Sequence, residues 1–96
     1  MSAFFIAEMT IHDAVLFDEY RRLALPSLQR FAPKPVIRAQ DFLMLEGQPA
    51  PSRLVIHEFS TKEIALSWFN SEEYQRAAEF RRRAATSRIM ICDGAS

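Results

Sequence analysis

The chain has 96 residues, with twelve basic against twelve acidic side chains and an apolar share of 49%. That length makes one domain, residues 1–96, leaves no room for two, and buries too little surface to be indifferent to a partner subunit. The zero net charge removes the electrostatic case for nucleic acid or an anionic membrane, and a lone cysteine, Cys92, excludes an intrachain disulfide.

No stretch approaches the roughly 20 apolar residues that span a bilayer. MSAFFIAEMT lacks the basic start of a signal peptide and meets an acid at Glu8. With a single free thiol, the expected setting is the reducing cytoplasm.

Ala3 to Ile11 is rich in aromatic and branched side chains and reads as a strand. Phe5, Ala7, Met9 and Ile11 make one wholly apolar face, while Phe4, Ile6, Glu8 and Thr10 make a mixed one. Helices are expected over the first. Asp13 is placed to cap a helix over AVLFDEYRRLAL, where Leu16, Phe17, Tyr20, Leu23 and Ala24 recur at helical spacing. Asp18, Glu19, Arg21 and Arg22 take its outer face. Pro26 is expected to end or kink this helix, with a short turn over SLQRF.

Pro33 and Pro35 lead into a second strand, expected over Val36 to Glu46, and EGQPAPS is a loop by its glycine and prolines. RLVIHEF (53–59) is a third strand and the hairpin partner of the second. Ser60 to Glu63 carries the capping-box spacing that starts a helix. Its apolar stripe of Ile64, Ala65, Trp68 and Phe69 breaks at Asn70-Ser71. One of those two caps a further helix, with Glu72 and Glu73 in the first turn, where the helix dipole favours acids. On that helix Tyr74, Ala77, Ala78, Arg81 and Ala85 share a face. RIMIC (88–92) supplies a fourth strand, stopped by Gly94. The order is β-α-β-β-α-β, the ferredoxin-like α+β sandwich. Its antiparallel four-stranded sheet carries helices on one face and leaves the other to solvent or a partner.

No phosphate loop, metal-ligand spacing or nucleophile elbow occurs, so no residue implies a metal or prosthetic group. The candidates are polar side chains where the pattern asks for apolar ones. Arg81, two turns after Tyr74 on an inward face, either snorkels to solvent or awaits a carboxylate or an anionic ligand. On the third strand, Leu54 and Ile56 are expected under the helices. Glu58 then ends the dry face with Arg81 as its partner, and His57 turns to the open face beside Glu8. His57 and Glu8 are the candidate proton-transfer groups. Arg38 is expected in mid-sheet, against Glu8 or a ligand carboxylate. Tyr20 and Tyr74 read as core aromatics whose hydroxyls seek a polar group.

Several stretches taken together resemble domain-of-unknown-function family 1330. They are FFIAEMTIHDAVLFDEY, IR at 37–38, LEG at 45–47, R-x-V-x-x-EF at 53–59, and W-F-x-S-x-E-Y-Q at 68–75 followed by Arg81. The likeness runs from about residue 3 to residue 94. It implies a dimeric α/β barrel, in which two ferredoxin-like subunits pack their open sheet faces together and each keeps a pocket. The positions carried over are Asp13, Tyr20, Arg38, Glu46, Gly47, Glu58, Ser71, Tyr74 and Arg81. The family usually has paired glycines before the second strand and just after its arginine; this chain has Ala32-Pro33 and Ala39-Gln40 there. The wider superfamily hosts unrelated reactions, so the resemblance implies fold and dimer but no chemistry.

Two functions are thus expected in competition. In the first, a homodimer binds or converts a small anionic or carbonyl molecule in a barrel pocket. Arg38, Tyr20, Glu58, Tyr74 and Arg81 form the ligand set, with His57 or Glu8 handling protons. In the second, the dimer is a non-catalytic module in which Arg38–Glu8 and Arg81–Glu58 are closed ion pairs with no room for a ligand. RNA binding shares the element order. It needs exposed stacking rings on the central strands within a basic surround, and RLVIHEF offers no such pair.

Overall fold

A computed structural model describes residues 2–95. Strand β1 (Ala3–Ile11) leads to helix α1 (Ala14–Phe31), then to strands β2 (Lys34–Ala39) and β3 (Arg53–Phe59). Helices α2 (Lys62–Phe69) and α3 (Glu72–Ala84) follow, and strand β4 (Ala85–Asp93) closes the order. The sheet runs β2-β3-β1-β4 with every pair antiparallel, and all three helices lie over one face. This is the ferredoxin-like arrangement. Among the described residues no helix is long and apolar enough to cross a membrane.

The first strand buries Ala3, Phe5, Ala7 and Met9, the apolar face read from its alternation. Asp13 caps α1 by accepting from the Leu16 amide at 3.1 Å. Of the two outcomes expected at Pro26, the helix end does not occur and SLQRF is not a turn: α1 continues through Pro26 to Phe31. Pro26 and Arg22, whose carbonyl loses its helical donor there, both lie on the exposed side, so no buried group is orphaned. The next residue, Ser27, is fully buried. Its hydroxyl donates to the Ala24 carbonyl at 2.7 Å and accepts from Trp68 Nε1 at 3.1 Å. The helix ends at Ala32, in the left-handed region at φ 48°, whose amide donates to the Leu28 carbonyl. That is one of the places where a glycine was expected from the family resemblance.

The second strand also differs from its expected span, stopping at Ala39 rather than Glu46. Ala39 pairs with Leu54, and β3 begins one residue before that, so the ladder runs out. Residues 40–52 cross back unpaired, with Leu43 and Leu45 exposed. The crossing is pinned where the Ser52 amide donates to the Met9 carbonyl at 2.8 Å and Ser52 Oγ accepts from the Ile11 amide at 2.9 Å.

Thr61, rather than Ser60, caps α2, accepting from the Ile64 amide at 3.1 Å. The break between α2 and α3 is bridged from both sides. Ser71 Oγ donates to the Trp68 carbonyl at 2.7 Å while capping the Tyr74 amide, and Gln75 Nε2 donates to the Phe69 carbonyl at 2.7 Å. These bonds meet the Trp68 and Phe69 carbonyls that the end of α2 would otherwise leave open, and join the two short helices across the break. Between them sits the aromatic core. Trp68 meets Phe5 edge-on at 4.8 Å between centroids and packs on Tyr74 at 4.3 Å.

The expected facing of β3 is inverted. Register sets Phe5 against His57, Ala7 against Val55 and Ala3 against Phe59, so the odd-numbered residues face the helices. RLVIHEF is apolar on both faces, Val55 and Phe59 against Leu54 and Ile56, so alternation had no power to choose. On the open face an apolar row crosses all four strands: Ile37, Ile56, Ile6 and Met90 are successive cross-strand neighbours. Ile37 and Met90, its two ends, are exposed.

Candidate functional site

Helix α1 rests mainly on α3, and between it and the middle of the sheet lies a cavity of about 430 Å³. Phe5, Val55 and Trp68 supply apolar walls from three elements. Tyr20 and Arg21 reach it from α1, Arg38 from β2, and Arg53 and His57 from β3. Strand geometry explains the convergence. Arg53, Val55 and His57 alternate onto the helix side of β3, and Arg38 lies opposite Val55 on the neighbouring strand.

His57 is 6% exposed, and its Nδ1 is buried with no hydrogen-bond partner. Burial above all, reinforced by the positive charges of Arg38 and Arg53, lowers its pKa to about 4. The imidazole is therefore neutral at pH 7. Burial likewise lowers Arg53 from its ordinary value, with the Arg21 and Arg38 charges adding to the effect and Tyr20 opposing it. Tyr20 is held as a phenol: burial raises its pKa well above the usual value, and the Tyr74 hydroxyl 3.0 Å away raises it further.

The ion pairs among the described residues are Glu19–Arg22, Glu73–Arg30, Asp93–Lys62 and Glu72–Arg76. None involves Arg21, Arg38 or Arg53. Among the described residues, Arg21, Arg38 and Arg53 thus border one cavity without a closed ion pair, and Asp18 is the one carboxylate in its lining.

Of the residues singled out in the sequence, Tyr20, Arg38 and His57 come together here. Glu8 and Glu58 do not. Register places Glu8 between Leu54 and Arg88, and Glu58 between Phe4 and Lys34, both on the open face. The expected Arg38–Glu8 and Arg81–Glu58 pairs consequently do not form, because the sheet separates their members. Arg81 is 4% exposed, on the inward face of α3, with its Nε unpartnered. Arg81 and Tyr74 lie outside the cavity lining, although Tyr74 holds the Tyr20 hydroxyl at its edge. Sequence reasoning missed Arg21 and Arg53. Arg53 carried a usable signal, since it lies four residues before His57 and so on the same strand face.

The fold and the lined cavity define a ferredoxin-like α+β protein with a helix-covered pocket on one side of its sheet. The sequence belongs to the family described as a domain of unknown function (DUF1330), whose model matches residues 2–95. No curated protein sequence matches it. Among solved structures, a protein of unknown function from Rhodopseudomonas palustris superposes with a TM-score of 0.81 at 19% identity, covering 99% of this chain and 83% of that one. A dimeric ferredoxin-like protein of unknown function from Jannaschia sp. CCS1 gives 0.73 at 10% identity, covering 98% and 100%. SnoaB, a cofactor-independent oxygenase from Streptomyces nogalater, gives 0.65 at 18% identity, covering 99% and 94%. At such identities the likeness is one of fold.

Proposed function

We propose that this protein is a cytoplasmic homodimer that binds a small organic anion in the cavity between α1 and the sheet. Arg38 and Arg53 attract the charge, and neutral His57 serves as the polar contact and the candidate proton acceptor. The observation that carries the reading is the convergence of Arg21, Arg38 and Arg53, none in an ion pair among the described residues, on one largely apolar cavity whose lining offers them a single carboxylate, Asp18. Positive charges gathered in excess of the one carboxylate raise the free energy of the empty site, and a bound anion lowers it. The volume falls in the range of small-molecule sites.

The dimer is supported by the apolar row of Ile37, Ile56, Ile6 and Met90, which no helix among the described residues covers and whose two ends are exposed. A two-fold axis through such a row brings it against its own copy. Neighbours of this fold described as dimeric add to the case. The competing structural module depends on closed Arg38–Glu8 and Arg81–Glu58 pairs, and its members lie on opposite sides of the sheet. The likeness to SnoaB carries fold and not reaction, so the reading stops at binding.

Native mass spectrometry of protein purified without added ligand tests this. The expected spectrum is a dimer that takes up added benzoate one molecule per subunit, with uptake lost in Arg38→Met. A monomer, or uptake indifferent to Arg38, would contradict it.

A further inference from the structure

We infer that the ligand is a ring-bearing hydroxy acid, with its carboxylate at the arginines and its hydroxyl, one ring away, at His57; this rests on the anion-binding reading above. Each part of the molecule answers a different feature of the cavity. The unpaired Arg38 and Arg53 call for an acceptor-only group with negative charge, which a carboxylate supplies in bidentate fashion. The walls contributed by Phe5, Phe17, Tyr20 and Trp68 are aromatic and call for a flat apolar body.

His57 calls for something else. A neutral imidazole has one donor and one acceptor nitrogen; Nδ1 is closed off from the cavity, so a ligand meets the ring at Nε2. A second carboxylate would answer only the donor tautomer. A hydroxyl both donates and accepts, so it answers either. A hydrogen bond formed at Nε2 within the apolar cavity adds to the affinity of a ligand that supplies the hydroxyl.

The register separates the backbone positions of Arg38 and His57, and the two ligand groups are placed at the same separation. His57 is two residues along β3 from Val55, the position that Arg38 opposes, an offset of about 7 Å along the strand. A carboxylate and hydroxyl on adjacent ring carbons cannot span such an offset. Groups at opposite ends of one ring can.

Isothermal titration of the dimer with 4-hydroxybenzoate, 2-hydroxybenzoate, benzoate and phenol tests this directly. The 4-hydroxy acid is expected to bind about threefold to tenfold more tightly than benzoate, the return from one neutral hydrogen bond. The 2-hydroxy acid should gain nothing over benzoate, and phenol should bind more weakly than either. In His57→Phe the advantage of the 4-hydroxy acid should vanish while benzoate binding persists; if that variant does not fold, the wild-type series decides alone. Equal binding of 4-hydroxybenzoate and benzoate would overturn the hydroxyl assignment and leave the anion site standing. Binding of phenol as tight as that of the acids, or of none of the four, would overturn both.

Discussion

Arg38 and His57 sit on the same side of neighbouring strands, two positions apart in register, and both line one cavity. The pairing of a fixed cation with a buried imidazole has a thermodynamic consequence. His57 titrates near 4 in the fold, against about 6.5 in the unfolded chain. Between those values the unfolded chain binds the extra proton, so stability is full above about pH 6.5 and falls as the pH drops towards 4. The loss amounts to about 3 kcal/mol when complete. Urea midpoints at neutral pH and near pH 4.5 should fall more steeply in the wild type than in His57→Gln. An NMR titration of Arg38→Met should show the His57 pKa moving upward; no movement would mean that the Arg38 charge does not act on it.

Arg38 itself is exposed and unpaired, so Arg38→Met should cost less than about 0.5 kcal/mol of stability while weakening anion uptake. Chemical denaturation and ligand titration of the same sample separate the two effects. A loss of several kcal/mol would signal a closed structural pair instead.

Ala32 occupies the left-handed region at φ 48°, which glycine enters without the Cβ penalty. Ala32→Gly should raise stability by about 0.5–1 kcal/mol, because relief of strain exceeds the added freedom of the unfolded chain. A rise in the thermal midpoint is the check. A fall would mean that the helix end relaxes in solution to another conformation.

Ser27 is the acceptor that Trp68 meets inside the core. Ser27→Ala leaves the indole N–H buried and unmet, at a cost of about 1–3 kcal/mol by urea unfolding. Ser27→Thr keeps a hydroxyl there, and the comparison isolates the hydrogen bond from the change in volume.

The open face offers a sharper test of assembly. Ile56→Lys sets a charge in the middle of the apolar row, where it has no counter-charge in register, Ile6 and Ile37 being its neighbours. Sedimentation velocity should show the dimer converting to a monomer that retains its helical and strand signal. A dimer unaffected by the change would place the interface elsewhere.

How far these elements could be read from the chain depends on whether a local signal was present. Phe5, Ala7 and Met9 make a wholly apolar face against a mixed one, and Asp13 and Ser71 cap their helices by short-range chemistry, so strand and helix starts were legible. Pro26 misled because what it costs depends on whether the carbonyl it frees is wet, a tertiary fact. The end of β2 at Ala39 depends on where β3 begins, at Arg53 beyond an irregular crossing, and no local window contains both. Most consequential was β3, whose two faces are equally apolar. Only its register with β1 turns His57 inward and separates Glu58 from Arg81. The resulting site was therefore half visible: its members Tyr20, Arg38 and His57 stood out as polar residues in apolar patterns, but their convergence did not.

The central claim is that the cavity under α1 takes an organic anion. Amide chemical shifts of the isotope-labelled protein, followed during titration with benzoate, test it most directly. The account predicts saturable shifts gathered at Tyr20, Arg38, Arg53, Val55 and His57, with the open-face residues Ile6 and Met90 unmoved. Shifts that fail to saturate, or that gather on the open face instead, would contradict it.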